Sequence, residues 1–297
     1  MTSQPQSIQR GVARIDDPET TPGFVSGHRV RRLIGSDDPA FSDPFLLMGE
    51  DWMPHGAYSV HPHRGMETLT YVIEGVVDHH DSAGHLGWLG SGDAQWMTAG
   101  RGVLHEESAP PGTIAHTLQR WINLPAAAKM TEPQYQHLRA VDRPVWQRGG
   151  TRIAIFSGQS HGISAPTLNH VPVTMLKVDL RPHDATSIDL AGEDNAFLFL
   201  LEGSVLVGPG ESRVSAGQIS WLTRPNRPER TELTLRTDDT PVSLLVFAGK
   251  PLNEPVVFGG PFVMNSAEEI RQARRDFARG TFASNSQATA VAQPKGK

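Results

Sequence analysis

The amino-acid sequence predicts an all-β protein: two similar β domains in tandem, closed by a single C-terminal α-helix. Three observations carry this expectation. The chain of 297 residues contains 29 glycines and 23 prolines, spread so that only short apolar runs survive between them. Many short β-branched and aromatic runs separated by turn residues read as a sandwich or barrel. One such pattern occurs twice, and helical periodicity appears only once, near the end.

In chain order, the first half offers strands at LTYVIEG (69–75), DAQWMTA (93–99) and TLQRWINL (117–124). The second half offers RIAIFSG (152–158), VTMLKVDL (173–180), AFLFLLEG (196–203), SRVSAGQISWLT (212–223) and VSLLVFAG (242–249). The repeat lies within these runs. LTYVIEG followed by SGDAQWMT (91–98) matches FLFLLEG (197–203) followed by AGQISWLT (216–223). Each copy is a buried strand, a tight turn at Glu74-Gly75 or Glu202-Gly203, and a glycine (Gly92 or Gly217) leading into a Trp-bearing strand. The glycines are placed to supply backbone angles that other residues resist. Trp96 and Trp221, at equivalent positions, read as packing residues, and Met53 and Met97 as gap-fillers. The segment VVDHHDSAGHLG, with His79, His80 and His85, reads as a solvated turn. The helix is expected in SAEEIRQARRDFARG, with Ser266 as its cap and Glu269 at the capping-box position. Ile270, Ala273 and Phe277 then share a face that packs on the β body, while arginines crowd the later turns. These patterns divide the chain into domains at residues 1–140 and 141–283, the second including the helix. The polar segment 284–297 is expected to be disordered.

Bulk composition excludes several function classes. With 27 Lys+Arg against 32 Asp+Glu the net charge is −5, which gives no electrostatic footprint for direct nucleic-acid binding. The small basic cluster Arg29, Arg31 and Arg32 reads as a solvated face, as does the cluster Arg271, Arg274 and Arg275. The absence of cysteine removes disulfides, thiolate metal sites and cysteine nucleophiles. No apolar run of signal-peptide or membrane-helix length is visible, so a soluble cytoplasmic protein is the expectation.

The candidate site lies in the first domain. His61 and His63 in SVHPHRGMET answer His105 and Glu107 in GRGVLHEES. Alternate residues on a strand point to one face, so each pair, if on a strand, aims two ligand atoms at one point. Three imidazoles and a carboxylate suit one divalent transition metal, iron(II) in particular. Thirteen histidines in 297 residues would give a single His-x-His pair about as often as chance, so the second pair is what matters. The matching stretches of the second repeat hold no paired histidines, only a lone His183 that reads as a surface residue. Glu67 shares the strand parity of His61 and His63, so spacing alone leaves it a candidate ligand beside Glu107.

At family level the chain resembles the pirins of the cupin superfamily. The segments that carry the likeness are DPFLLMGE (43–50), HPHRGMETLTYVIEG (61–75), GDAQWMTAGRGVLHEE (92–107), LQRWINLP (118–125) and GPFVMNSAEEI (260–270). The resemblance implies a bicupin, two cupin-type β-barrels with the C-terminal helix packed against them. It implies one metal, usually iron, in the N-terminal barrel, held by His61, His63, His105 and Glu107. Glu67 then lies outside the ligand set and could orient an imidazole. Several pirins are described as quercetin 2,3-dioxygenases, so the resemblance implies an oxidoreductase that opens flavonol-like aromatics with O2. Glu107 would take the substrate hydroxyl proton. It also implies an alternative of another class, an iron- or redox-responsive protein that regulates a transcriptional or metabolic-enzyme partner.

Overall fold

The computed structural model describes residues 7–283, and the segment 284–297 read as disordered lies outside the described residues. Two compact units emerge, each built on two main sheets with a small two-stranded ribbon besides. In the first unit a seven-stranded sheet runs in the order Gln134–Leu138, Ala94–Thr98, Met66–Glu74, Ile114–Asn123, Phe45–Pro54, Arg29–Ile34, Thr20–Pro22. Its second sheet runs Tyr58–His63, Val103–Ser108, Val76–Asp81, Leu86–Gly90. The other unit repeats the plan. Seven strands run Val145–Arg148, Thr151–Ser157, Val173–Leu180, Val242–Gly249, Asn195–Glu202, Ile219–Leu222, Val12–Asp16, and a five-stranded sheet is built on Arg230–Arg236. These are two cupin-type β-barrels with one C-terminal helix.

The repeated sequence unit has one structure in both copies. Gly75 and Gly203 turn the chain with φ of +90° and +80°, and Gly92 and Gly217 with +87° and +84°. All four lie in the left-handed region where a Cβ is strained. Trp96 and Trp221 are both buried, and their strands pair with Met66–Glu74 and Asn195–Glu202 in the same register, Trp96 opposite Leu69 and Trp221 opposite Phe197. Met53 and Met97 are buried in separate apolar clusters.

The chain ends are exchanged between the units relative to the division at 140/141 read from the sequence. The break itself falls at Val141/Asp142, but residues 7–18 group with Asp142–Pro251, and residues 252–283 group with Glu19–Val141. The physical reason at the N-terminus is strand pairing: Val12–Asp16 lies antiparallel to Ile219–Leu222 and extends that sheet. At the C-terminus it is packing. Val263 is buried against Leu46 and Met66, and Arg64 bridges to Phe262. The helix therefore belongs with the first barrel.

That helix spans Ala267–Ala278, and the Ser266 side chain accepts from the Glu269 backbone N–H at its start. Glu269 reaches back toward the cap, but its carboxylate accepts from Asn265 N–H and Ser266 Oγ–H in place of the Ser266 N–H of a regular capping box. Ile270 and Ala273 are buried, but Phe277 is 45 % exposed. Only part of its ring meets Phe262 and Phe282.

Candidate metal centre

The two sequence pairs lie on adjacent antiparallel strands. Tyr58–His63 pairs with Val103–Ser108 so that His61 stands opposite His105 and His63 opposite Val103. The register slips between His105 and Glu107, so that Glu107 faces Tyr58 rather than Ser59. Such a bulge re-aims a side chain, and here it turns the Tyr58 phenol into the barrel beside Glu107. Glu106 stands opposite His80 on the other face.

His61, His63 and His105 converge. Their ring centroids lie 4.3 to 4.9 Å apart, and one nitrogen from each falls within 4.8 Å of the others. The His61 ring is oriented by Nδ1–H, which donates to the Ser59 carbonyl at 2.8 Å. That bond fixes the tautomer and leaves Nε2 with its lone pair free. The ring nitrogens of His63 and His105 are buried without a hydrogen-bond partner. Burial, reinforced by neighbouring histidines, holds both pKa values well below the usual imidazole range. For His63 the Pro261 carbonyl opposes this, lying outside hydrogen-bond geometry. Both rings are therefore neutral donors. Buried polar atoms are rarely left unsatisfied, and a single divalent cation would take one nitrogen from each of the three imidazoles.

Glu107 stands beside this group in a different set, with His79 and His105. A row of three side chains on adjacent strands holds its carboxylate. Gln95 lies opposite Thr70, and Thr70 opposite Gln119. Thr70 Oγ1–H and Gln95 Nε2–H donate to Glu107 Oε1, and Gln119 Nε2–H donates to Oε2 at 2.8 Å. Tyr135 O–H donates to Gln95 Oε1 at 3.0 Å, which sets the amide so that its NH2 group faces Glu107. His79 adds a fourth neighbour, Nδ1 lying 3.9 Å from Glu107 Oε1. Burial works against a charged His79, but the hydrogen bond to Asp81 and the nearby Glu107 carboxylate outweigh it and its pKa is raised. Glu67 is in neither group; it is fully buried and accepts from Thr98 Oγ1 at 2.8 Å.

A cavity of about 630 Å³ opens onto His61, His63 and Glu107. Its walls are largely apolar, with Val30, Leu47, Trp121 and Pro261 inside and Phe24 and Val25 at the mouth. Phe24 is 77 % exposed. The mouth loop is pinned from behind: Phe24 N–H donates to His28 Nδ1, so His28 Nε2–H donates to Asp51 Oδ1 at 3.1 Å. Tyr58 O–H donates to the same oxygen at 2.6 Å. Burial and the Asp51 and Glu107 charges push the Tyr58 phenol far up, so it remains a donor.

Three features of the site lie outside the sequence reading. The segment holding His79, read there as a solvated turn, is the strand Val76–Asp81, and His79 is fully buried. Its parity with Asp81, which also points inward, was the available sign. The row Gln95–Thr70–Gln119 was also missed, although the internal repeat marks it. The register places Ser220, Leu198 and Val246 at the corresponding positions of the second barrel, whose interior is packed with buried aliphatics such as Ile155, Leu176 and Val205. The pairing Tyr58–Asp51–His28 carries no local motif at all. His183, by contrast, is exposed, as expected, and faces Asp239.

Comparison with known proteins agrees with this architecture. The family model "Pirin" matches residues 29–122 and "Pirin C-terminal cupin domain" matches residues 175–283. Human pirin is 38 % identical over 262 residues, covering 84 % of this chain and 87 % of that protein. A crystal structure of GK1651 from Geobacillus kaustophilus superposes with a TM-score of 0.82 at 46 % identity, covering 84 % of this chain and 100 % of that one. A crystal structure of quercetin 2,3-dioxygenase from Acinetobacter baumannii gives a TM-score of 0.81 at 31 % identity, covering 94 % and 99 %. No helix among the described residues is long and apolar enough to cross a membrane. With both family models matched in order, and with relatives aligned over most of its length, this chain belongs to the pirin family.

Proposed function

We propose that this protein is an iron-dependent dioxygenase that opens flavonol-like aromatics with O2. The observation that carries the reading is the convergence of three imidazoles on one wall of a largely apolar cavity that also exposes Glu107. His61, His63 and His105 would hold the ion, with Glu107 as the fourth donor on rotation of its carboxylate. Bound iron(II) supplies Lewis acidity and the electron exchange that spin-paired organic substrates need to react with O2. The chain's own residues do the rest. Trp121, Leu47 and Val30 exclude bulk water and accept a planar ring. Glu107 takes the proton of the substrate's enolic hydroxyl, within reach of the centre. Thr70, Gln95 and Gln119 keep that carboxylate oriented between turnovers, and Tyr58 holds Asp51 so that the mouth keeps its shape.

The likeness to a quercetin 2,3-dioxygenase at 31 % identity supports the same substrate class. The test is anaerobic incubation of iron-loaded protein with quercetin, followed by admission of O2. Loss of flavonol absorbance with release of carbon monoxide is expected, and Glu107→Gln should suppress it. Full iron loading without turnover would refute the reading. A second reading, an iron-responsive protein that regulates a partner, is favoured by one contact. Arg64, next to His63, donates to Asp276 on the C-terminal helix at 2.7 Å, which ties the centre to a largely exposed surface. Partner binding that survives Glu107→Gln would support it.

A further inference from the structure

The three arginines Arg29, Arg31 and Arg32 do not form one solvated face. Strand parity divides them. Arg29 stacks over Trp52 at 4.8 Å, and Arg31 donates to Glu50 at 2.8 Å. Arg32 alone lies on the cavity side, with Val30, opposite Gly49, which has no side chain to cover it. It is exposed, and among the described residues no carboxylate pairs with it. The two acids that line the cavity are already engaged. Asp51 accepts from Tyr58 and His28, and both oxygens of Glu107 are held by Thr70, Gln95 and Gln119. The guanidinium therefore compensates no internal charge. It adds a cation to a largely apolar cavity that Phe24 and Val25 also line.

We propose that the cavity selects planar aromatic substrates that carry an acidic group remote from the oxygens presented to the metal centre, and that Arg32 receives that group. A guanidinium fork matches a carboxylate, sulfonate or phenolate in geometry as well as charge. The arrangement gives the substrate an order: chelating oxygens toward the histidines, ring between Phe24 and the inner wall, acid at Arg32. This inference deepens the dioxygenase reading, resting on its assignment of the cavity, and names the substrate's charge.

The test uses binding without oxygen, so it does not depend on turnover. Cobalt(II)-loaded protein is titrated anaerobically with quercetin and with quercetin sulfonated on either ring, following fluorescence quenching at low salt. At least one sulfonated isomer should bind five- to tenfold more tightly than quercetin. That preference should fall to about one in Arg32→Gln, shrink in 0.5 M salt, and persist in part in Arg32→Lys. Cobalt content should be equal in all variants. Absence of a sulfonate preference, or a preference that survives Arg32→Gln, overturns the inference alone. Binding of neither ligand overturns it together with the assignment of the cavity. Intact charge preference without turnover leaves it standing while the dioxygenase reading fails.

Discussion

Replacing Gln119 by leucine tests whether the polar row across three strands exists to hold Glu107. The Gln119 amide meets Glu107 Oε2 at 2.8 Å, and Glu107 is only 4 % exposed, so water reaches its carboxylate only through the cavity. A hydrogen bond to a charged group contributes about 1.5–3 kcal/mol, against about 0.5–1.5 kcal/mol for a neutral pair. Gln119→Leu should therefore lower stability by about 2 kcal/mol. At about 2–4 °C per kcal/mol for chains of this size class, the melting temperature falls by about 4–8 °C. The decisive measurement is a double-mutant cycle with Glu107→Gln, by thermal denaturation of chelator-treated protein. Once Glu107 is neutral, loss of the Gln119 donor should matter less, giving a coupling of about 1 kcal/mol. Additivity within about 0.5 kcal/mol would show that the amide serves the fold and not the carboxylate.

Other expectations follow from individual contacts. His63→Ala and His105→Ala should each abolish stoichiometric binding of cobalt(II) by titration, whereas Glu67→Gln should leave one ion per chain. Lys129 is buried and donates to Gly65 O, Asn123 Oδ1 and Val263 O, and burial lowers its pKa from 10.5 to about 8. Between those two values the unfolded chain holds the proton that the folded chain has released, so stability rises with pH. Relative to Lys129→Met, the protein should gain about 3 kcal/mol between pH 7.5 and 10.5 in urea titrations, with no change below pH 7.5. Gly65 has φ +79°, and an added Cβ would lie 2.1 Å from Val263 O. Gly65→Ala should displace the C-terminal arm, measured as faster amide exchange at 257–264 and a loss of at least about 2 kcal/mol.

Much of this was legible in the chain itself, for reasons that can be named. The strands with the longest apolar runs, such as Val173–Leu180 and Val242–Gly249, lie where the sequence places them, because buried strands need little besides β-branched and aromatic residues. The helix was marked by Ser266 and Glu269, whose capping chemistry is local. The histidine pairs were visible because strand parity alone aims them. What escaped was non-local or polar. The strand Val76–Asp81 places His79 and Asp81 inward, where an apolar alternation would have been recognised. Thr70, Gln95 and Gln119 are ordinary residues until the second barrel's Leu198 and Val246 are laid beside them. The partner of Val12–Asp16 lies some two hundred residues away, and no local pattern in VARID announces it.

The exchanged chain ends set an order for synthesis. The loop that follows His63 is tied by Lys129 and Gly65 to Val263, and by Arg64 to Asp276. A nascent chain that has released only its first 141 residues from the ribosome therefore carries all the imidazoles but lacks the arm that braces them. Completion of the centre must wait for the last segment to emerge, after the other barrel has been made. Severing the polypeptide between Val141 and Asp142 would yield two fragments that each lack a piece carried by the other.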